Sequence, residues 1–173
     1  MMSKTRSIRY ILAAVLTVGL LFMMTACGGG DSATTLKDVP SADLAKAMSE
    51  AESSLPDMET LTEEDPEPEI ILTSVSDIEF DKVEGFFICY SKEGKADEIV
   101  VLKMKDAADA AEAETSLNTH KEKRSSMYAT YDPSQVSRVD NGIVFSEGQY
   151  AVLIVTDHPT DVQAAFSAAV SEE

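Results

Sequence analysis

Two cysteines, two histidines and 31 carboxylates are the groups in this 173-residue chain whose types and spacing offer chemistry. Cys27 stands where a basic stretch (Lys4 to Arg9) and a 14-residue apolar run (Ile11 to Met24) give way to the small residues Thr25-Ala26. A thiol at that junction is placed for modification during export. Cys89 lies inside Phe86-Phe87-Ile88-Cys89-Tyr90, an apolar strand-like run in which a free cysteine acts as a small hydrophobe rather than a nucleophile. His120 and His158 are far apart and belong to no zinc spacing, so each reads as a surface or helix-end residue. The sequence has no G-x-S-x-G elbow, phosphate loop or C-x-x-C pair. No catalytic residue, metal ligand or cofactor is assigned. The acids are too numerous for a carboxylate pair to stand out as glycosidase machinery. Tyr128 and Tyr131, beside a turn, offer a small ligand or glycan platform, with packing the favoured role for at least one.

The amino-terminal pattern sets the expected address. An apolar run of 14 residues makes about 21 Å of helix, and a bilayer core needs about 20 residues. A signal peptide over 1–26 is therefore the better reading than a permanent span. Met24-Thr25-Ala26-Cys27 resembles a lipobox, with Met24 where Leu is usual, and the resemblance implies cleavage between Ala26 and Cys27 and diacylglyceryl attachment at Cys27. Two acyl chains hold a protein on a membrane where one does not. Residues 27–40, opening Gly28-Gly29-Gly30, read as a flexible tether with a reach of about 20 Å. The expected location is the extracytoplasmic face of the cell membrane.

Charge narrows the partners. Removing residues 1–26 lowers the 14 basic residues by three (Lys4, Arg6, Arg9) and keeps all 31 acids, so the net charge moves from −17 to −20. Such a surface repels nucleic acid and anionic lipid alike, so membrane attachment rests on the acyl chains. The partners expected are the membrane, through the lipid, and another envelope protein.

Residues 41–173 read as a single domain. Leu44, Met48, Ala51 and Leu55 recur at helical spacing behind Ser41 as N-cap, and Pro56 ends the helix. Residues 57–69 hold seven acids and Pro66 and Pro68 and read as a solvated linker rather than a calcium loop. Apolar runs at 85–91 and 98–104 flank the turn-rich Lys92 to Asp97 and predict a hairpin with both faces covered. Asp106 caps a long helix to about Tyr128 that places Ala110, Ala113, Leu117 and Arg124 near one face. Residues 136–145 and 150–155 predict a second hairpin around Gly148, and 161–170 a last helix. A shift of 52 residues lays Glu98–Met104 on Tyr150–Thr156, an echo of two hairpin-plus-helix units. The expected fold is α+β, a four-stranded antiparallel sheet packed by helices in the order α-β-β-α-β-β-α.

Ala96-Asp97-Glu98-Ile99-Val100, Lys105-Asp106-Ala107-Ala108-Asp109-Ala110, Tyr131-Asp132-Pro133 and Gly148 to Val155, with Asp43-Leu44-Ala45, resemble in order and spacing the domain of unknown function family DUF4358. That family occurs in lipoproteins of Gram-positive bacteria, and the resemblance covers roughly 41–170. It departs in the Pro/Glu-rich segment 63–69. The resemblance implies an envelope location and a compact α+β domain. It carries no activity and no functional residues. Two functions remain. A non-catalytic interaction or accessory module of the envelope predicts an exposed apolar patch. A small-ligand or glycan binder, or a cryptic hydrolase, predicts a concave pocket with converging charged or tyrosine side chains.

Overall fold

A computed structural model describes residues 36–172. The expected signal peptide over 1–26, with Ala26, Cys27 and residues 27–35 of the expected tether, lies outside the described residues. No described helix is long and apolar enough to cross a membrane.

The elements run α1 (Ser41–Glu50), β1 (Met58–Thr62), α2 (Pro68–Thr73), β2 (Val83–Ser91), β3 (Glu98–Met104), α3 (Ala110–Tyr131), α4 (Val136–Asn141), β4 (Ile143–Glu147), β5 (Tyr150–Val155) and α5 (Pro159–Val170). The strands form one antiparallel sheet in the order β1-β2-β3-β5-β4. The α+β class stands, but the sheet has five strands rather than four, and the element order changes accordingly.

The additional strand comes from the acidic segment 57–69. β1 pairs along β2 from Met58 opposite Ser91 to Thr62 opposite Phe87. It is an edge strand held by its backbone ladder rather than by core burial, so its side chains show no apolar alternation. Glu64, Glu67 and Glu69 are exposed, as a solvated segment predicts, while other acids of the segment are engaged. Asp57 pairs with Lys92 at 2.8 Å, and Glu59 accepts from the Tyr90 hydroxyl at 2.9 Å. Glu63 accepts from Ser41 Oγ at 3.0 Å and from the Phe86 amide at 2.9 Å. The missing side chain of Gly85, beside the register shift that follows Val83, makes room for that carboxylate, since a Cβ there would lie 3.1 Å from Glu63 Oε1. Ser41 thus staples α1 to the sheet, and Pro40 holds the N-cap position. Pro68 sits in the first turn of α2, where its missing N–H costs nothing.

Strand alternation divides the core in two. Phe86, Ile88, Val100, Leu102, Ala151 and Leu153 face α3 with Ala110, Ala113 and Leu117. Phe87, Cys89, Ile99, Val101, Val152 and Ile154 face α1 and α5, meeting Leu44, Met48, Val162 and Phe166. Both sheet faces are covered, as the all-apolar strands predict, and Cys89 is a buried thiol within the apolar core whose hydrogen-bond partners are hydroxyls, Thr60 Oγ1 at 3.4 Å and Ser49 Oγ at 3.6 Å. The 52-residue echo does not extend to the packing. It maps Val100 onto Val152 and Leu102 onto Ile154, residues that point to opposite faces.

Residues 136–141 form helix α4 rather than the start of a strand. Asp132 accepts from the Ser134 amide to begin that turn, and Val139 packs onto the α3 side of the core. Residues 36–39, at the root of the expected tether, touch the domain. The Lys37 amide donates to the Val170 carbonyl at 2.7 Å, and Asp38 pairs with Lys103 at 2.7 Å. Leu36 and Val39 pack on the α5 side, Leu36 against Gly148.

Candidate functional site

The hairpin turn between β2 and β3 leaves a gap beneath the middle of α3. β2 ends with Tyr90 and Ser91, the turn passes through Gly94 and Lys95, and β3 begins at Glu98. α3 runs over this end of the sheet. Its buried face carries Ala110, Ala113 and Leu117 in the first half, then His120 and Arg124, then Tyr128. A spacing of three to four residues keeps all six on one side of the helix. The small and apolar residues fill the core, and the two larger polar ones meet the sheet where the strand ends.

The result is a cavity of about 350 Å³ into which Glu98, His120 and Arg124 converge. Glu98 is 3% exposed. One carboxylate oxygen, Oε2, accepts from His120 Nε2 at 2.9 Å and lies 3.2 Å from Arg124 Nε. A carboxylate only accepts, so Nε2 of His120 carries the shared proton. The Arg124 Nε contact is an ion pair without hydrogen-bond alignment, and Nη2 donates to the Ala96 carbonyl at 3.0 Å. The guanidinium carbon lies 5.4 Å from the centre of the Tyr128 ring, a cation–π arrangement that fixes its plane. Tyr128 donates from its hydroxyl to the turn carbonyls of Lys95 (2.8 Å) and Gly94 (3.2 Å). Burial pushes its phenol pKa up, with the Arg124 charge acting the other way, so it stays a neutral donor. The rest of the lining is mainly apolar, with Leu61 of β1, Val75, Ile88 and the Tyr90 ring beside the hydroxyls of Ser74 and Ser91.

A second ion network braces the rim. Arg138 on α4 holds the buried Asp97 at 2.7 Å and Asp157 at 2.8 Å, and Gln135 accepts from the Ala96 amide at 3.1 Å. Burial raises the Asp97 pKa, while Arg138 pulls it down. Across the sheet, Glu52 is buried and accepts from the Asp157 and His158 amides, closing the turn into α5.

His120 is therefore not the surface residue its sequence position suggests, because its side chain is only 14% exposed and bound to Glu98. His158 is exposed at the start of α5. Tyr128 and Tyr131 make no common platform: Tyr128 is buried and Tyr131 is 77% exposed. The signal for the site is Arg124 itself, a cation on the helical face of Ala110, Ala113 and Leu117, a face that is otherwise core. Among the described residues no cluster of three or more His, Cys, Asp or Glu side chains has metal-holding geometry.

A family model described as a domain of unknown function (DUF4358) matches residues 61–156, a span that runs from β1 to just past β5 and contains Glu98, His120 and Arg124. No curated protein and no solved structure matches the chain.

Proposed function

The chain belongs to the DUF4358 family, and from that premise we propose that it is a lipid-anchored extracytoplasmic module that binds a small molecule between α3 and the β2–β3 turn. The observation that carries this reading is the cavity walled by Glu98 with His120 hydrogen-bonded and Arg124 ion-paired to the same carboxylate oxygen. Desolvating a carboxylate and a guanidinium costs several kcal/mol per ion, and their attraction repays it only with good geometry. A domain with leucine at these positions would fold at lower cost, so a polar cluster lining a hollow points to recognition.

The other sequence-based reading, a protein-interaction module, has less support. The large hydrophobic residues exposed among the described residues are Ile70 on α2 and the i,i+4 pair Met127 and Tyr131 on α3, too few for an extended apolar patch. A hydrolase is also less favoured. The Nε2 of His120 is committed to Glu98, no hydroxyl or thiol bonds to its ring among the described residues, and Cys89 lies on the other sheet face.

Lys103, near the end of β3, grips Asp38 where the described chain begins, and Glu98, at the start of the same strand, forms the pocket floor. Five residues of strand separate them by about 17 Å. Asp38 and the pocket floor therefore lie toward opposite ends of β3. The test is native mass spectrometry of the protein taken gently from its own membranes. A small-molecule adduct that disappears in Ser74→Trp, which plugs the cavity from its rim, is expected. An adduct-free protein, or an adduct indifferent to the plug, refutes the reading. Cys27→Ala is expected to leave the membrane fraction or stall in processing, and unchanged membrane retention refutes the anchor.

A further inference from the structure

Taking the cavity as a binding site, we propose that its ligand is a small organic monocarboxylate with an apolar body, held by Arg124. The charge of the lining sets the sign. In a chain of net −17, the cavity is lined by Lys95, His120 and Arg124 against a single acid, Glu98. Glu98 Oε2 takes both the His120 proton and the Arg124 contact, while Oε1 makes no hydrogen bond among the described residues. A cationic ligand would have to compete with that buried ion pair for the same carboxylate.

Arg124, by contrast, has capacity left. Nε faces Glu98 and Nη2 reaches the Ala96 carbonyl, while Nη1 makes no hydrogen bond among the described residues. A guanidinium presents five N–H donors in a fixed plane, and that plane is already set here by Glu98, Ala96 and the Tyr128 ring. Little further ordering is needed when an anion docks. A carboxylate matches the planar donors, and one guanidinium with a neutral or singly charged imidazole beside it suits one negative charge. A phosphate dianion would face the same cluster with the Glu98 carboxylate at its side and a strongly acidic protein around it. Lys95 adds a half-exposed cation to the lining, paired with Glu93 at 2.8 Å. Leu61, Val75, Ile88 and the Tyr90 ring outnumber the hydroxyls of Ser74 and Ser91 along the rest of the lining, so the body of the ligand is mainly apolar. The volume, about 350 Å³, is at the small end of ligand pockets.

Calorimetric titration of the full mature chain in detergent with benzoate and with benzyl alcohol separates the carboxylate from the apolar body. Benzoate is expected to bind at least about tenfold more tightly than the alcohol. Arg124→Lys, which keeps a cation for Glu98 but loses the planar donors, is expected to remove most of that preference. Ser74→Trp, which leaves the charged cluster untouched, is expected to abolish both. Equal affinities for benzoate and benzyl alcohol, both lost in Ser74→Trp, overturn the carboxylate assignment and leave the cavity a ligand site. No benzoate binding, or benzoate binding unchanged in Arg124→Lys, also overturns the assignment. The broader reading of the cavity falls separately, if native mass spectrometry finds no adduct.

Discussion

Replacing Arg124 by methionine isolates the electrostatic core of the site. Methionine keeps an unbranched stem over the Tyr128 ring and removes the cation, so packing changes little while Glu98 loses a partner. The Glu98 side chain is only 4% exposed, which leaves its charge almost out of reach of water. Stranding one member of a buried pair costs about 3–5 kcal/mol. His120 still holds the carboxylate, which places this case near the lower bound, and the lost bond to the Ala96 carbonyl adds about 1 kcal/mol. A net loss of about 3–4 kcal/mol follows. For a domain of this size that lowers the melting temperature by about 10 °C. Urea unfolding of wild type, Arg124→Met, Glu98→Gln and the double variant measures it as a cycle. With no carboxylate left to strand, the double variant is expected to recover about 2 kcal/mol relative to the sum of the singles. A single variant within about 1 kcal/mol of wild type, or additive singles, refutes the claim that Glu98 and Arg124 form a desolvated pair.

Three further perturbations probe the frame around the site. Gly148 has φ +57°, and a Cβ there would lie 2.7 Å from Leu36 Cδ1; Gly148→Ala is expected to cost about 1–2 kcal/mol in chemical denaturation and to speed hydrogen exchange at the Lys37 amide. Thr156 is buried with an unpartnered hydroxyl, so Thr156→Val is expected to be neutral or stabilising by up to about 1 kcal/mol, and a loss of more than that contradicts the assignment. Burial raises the Asp97 pKa above its ordinary 3.8, against the pull of Arg138, so the folded protein holds that proton more tightly than the unfolded chain does. Its stabilising contribution is complete below 3.8 and is lost as pH rises through the raised value. Melting temperatures measured against pH should show wild type falling relative to Asp97→Asn across that window, and the opposite trend refutes the assignment.

The central hairpin is legible in the sequence because β2 and β3 are apolar at successive positions, which only a sheet covered on both faces accommodates. β1 is hidden because an edge strand needs a backbone partner and not an apolar stripe, so Met58-Glu59-Thr60-Leu61-Thr62 reads as part of an acidic linker. The tertiary roles of its acids, above all Glu63 over Gly85, depend on contacts across the fold that no local pattern encodes. α4 is misleading for a different reason. Val136 and Val139 are β-branched and only six residues long in their helix, too short for periodicity to outweigh propensity. The site was partly written in α3. Arg124 shares the face of Ala110 and Leu117, and a charge on an otherwise buried stripe requires a partner. Glu98, the partner, opens an apolar strand 26 residues earlier, and only the fold brings the two together.

The most direct measurement maps where a small carboxylate touches the protein. Amide chemical shifts of the isotope-labelled mature chain, followed during a benzoate titration, are expected to move at Val75, Gly94, Lys95 and Glu98, the backbone around the cavity. Those shifts should saturate together and vanish in Ser74→Trp. Shifts confined to the groove between α1 and β1, around Lys46, Ser49 and Thr60, or no shifts at all, contradict the account.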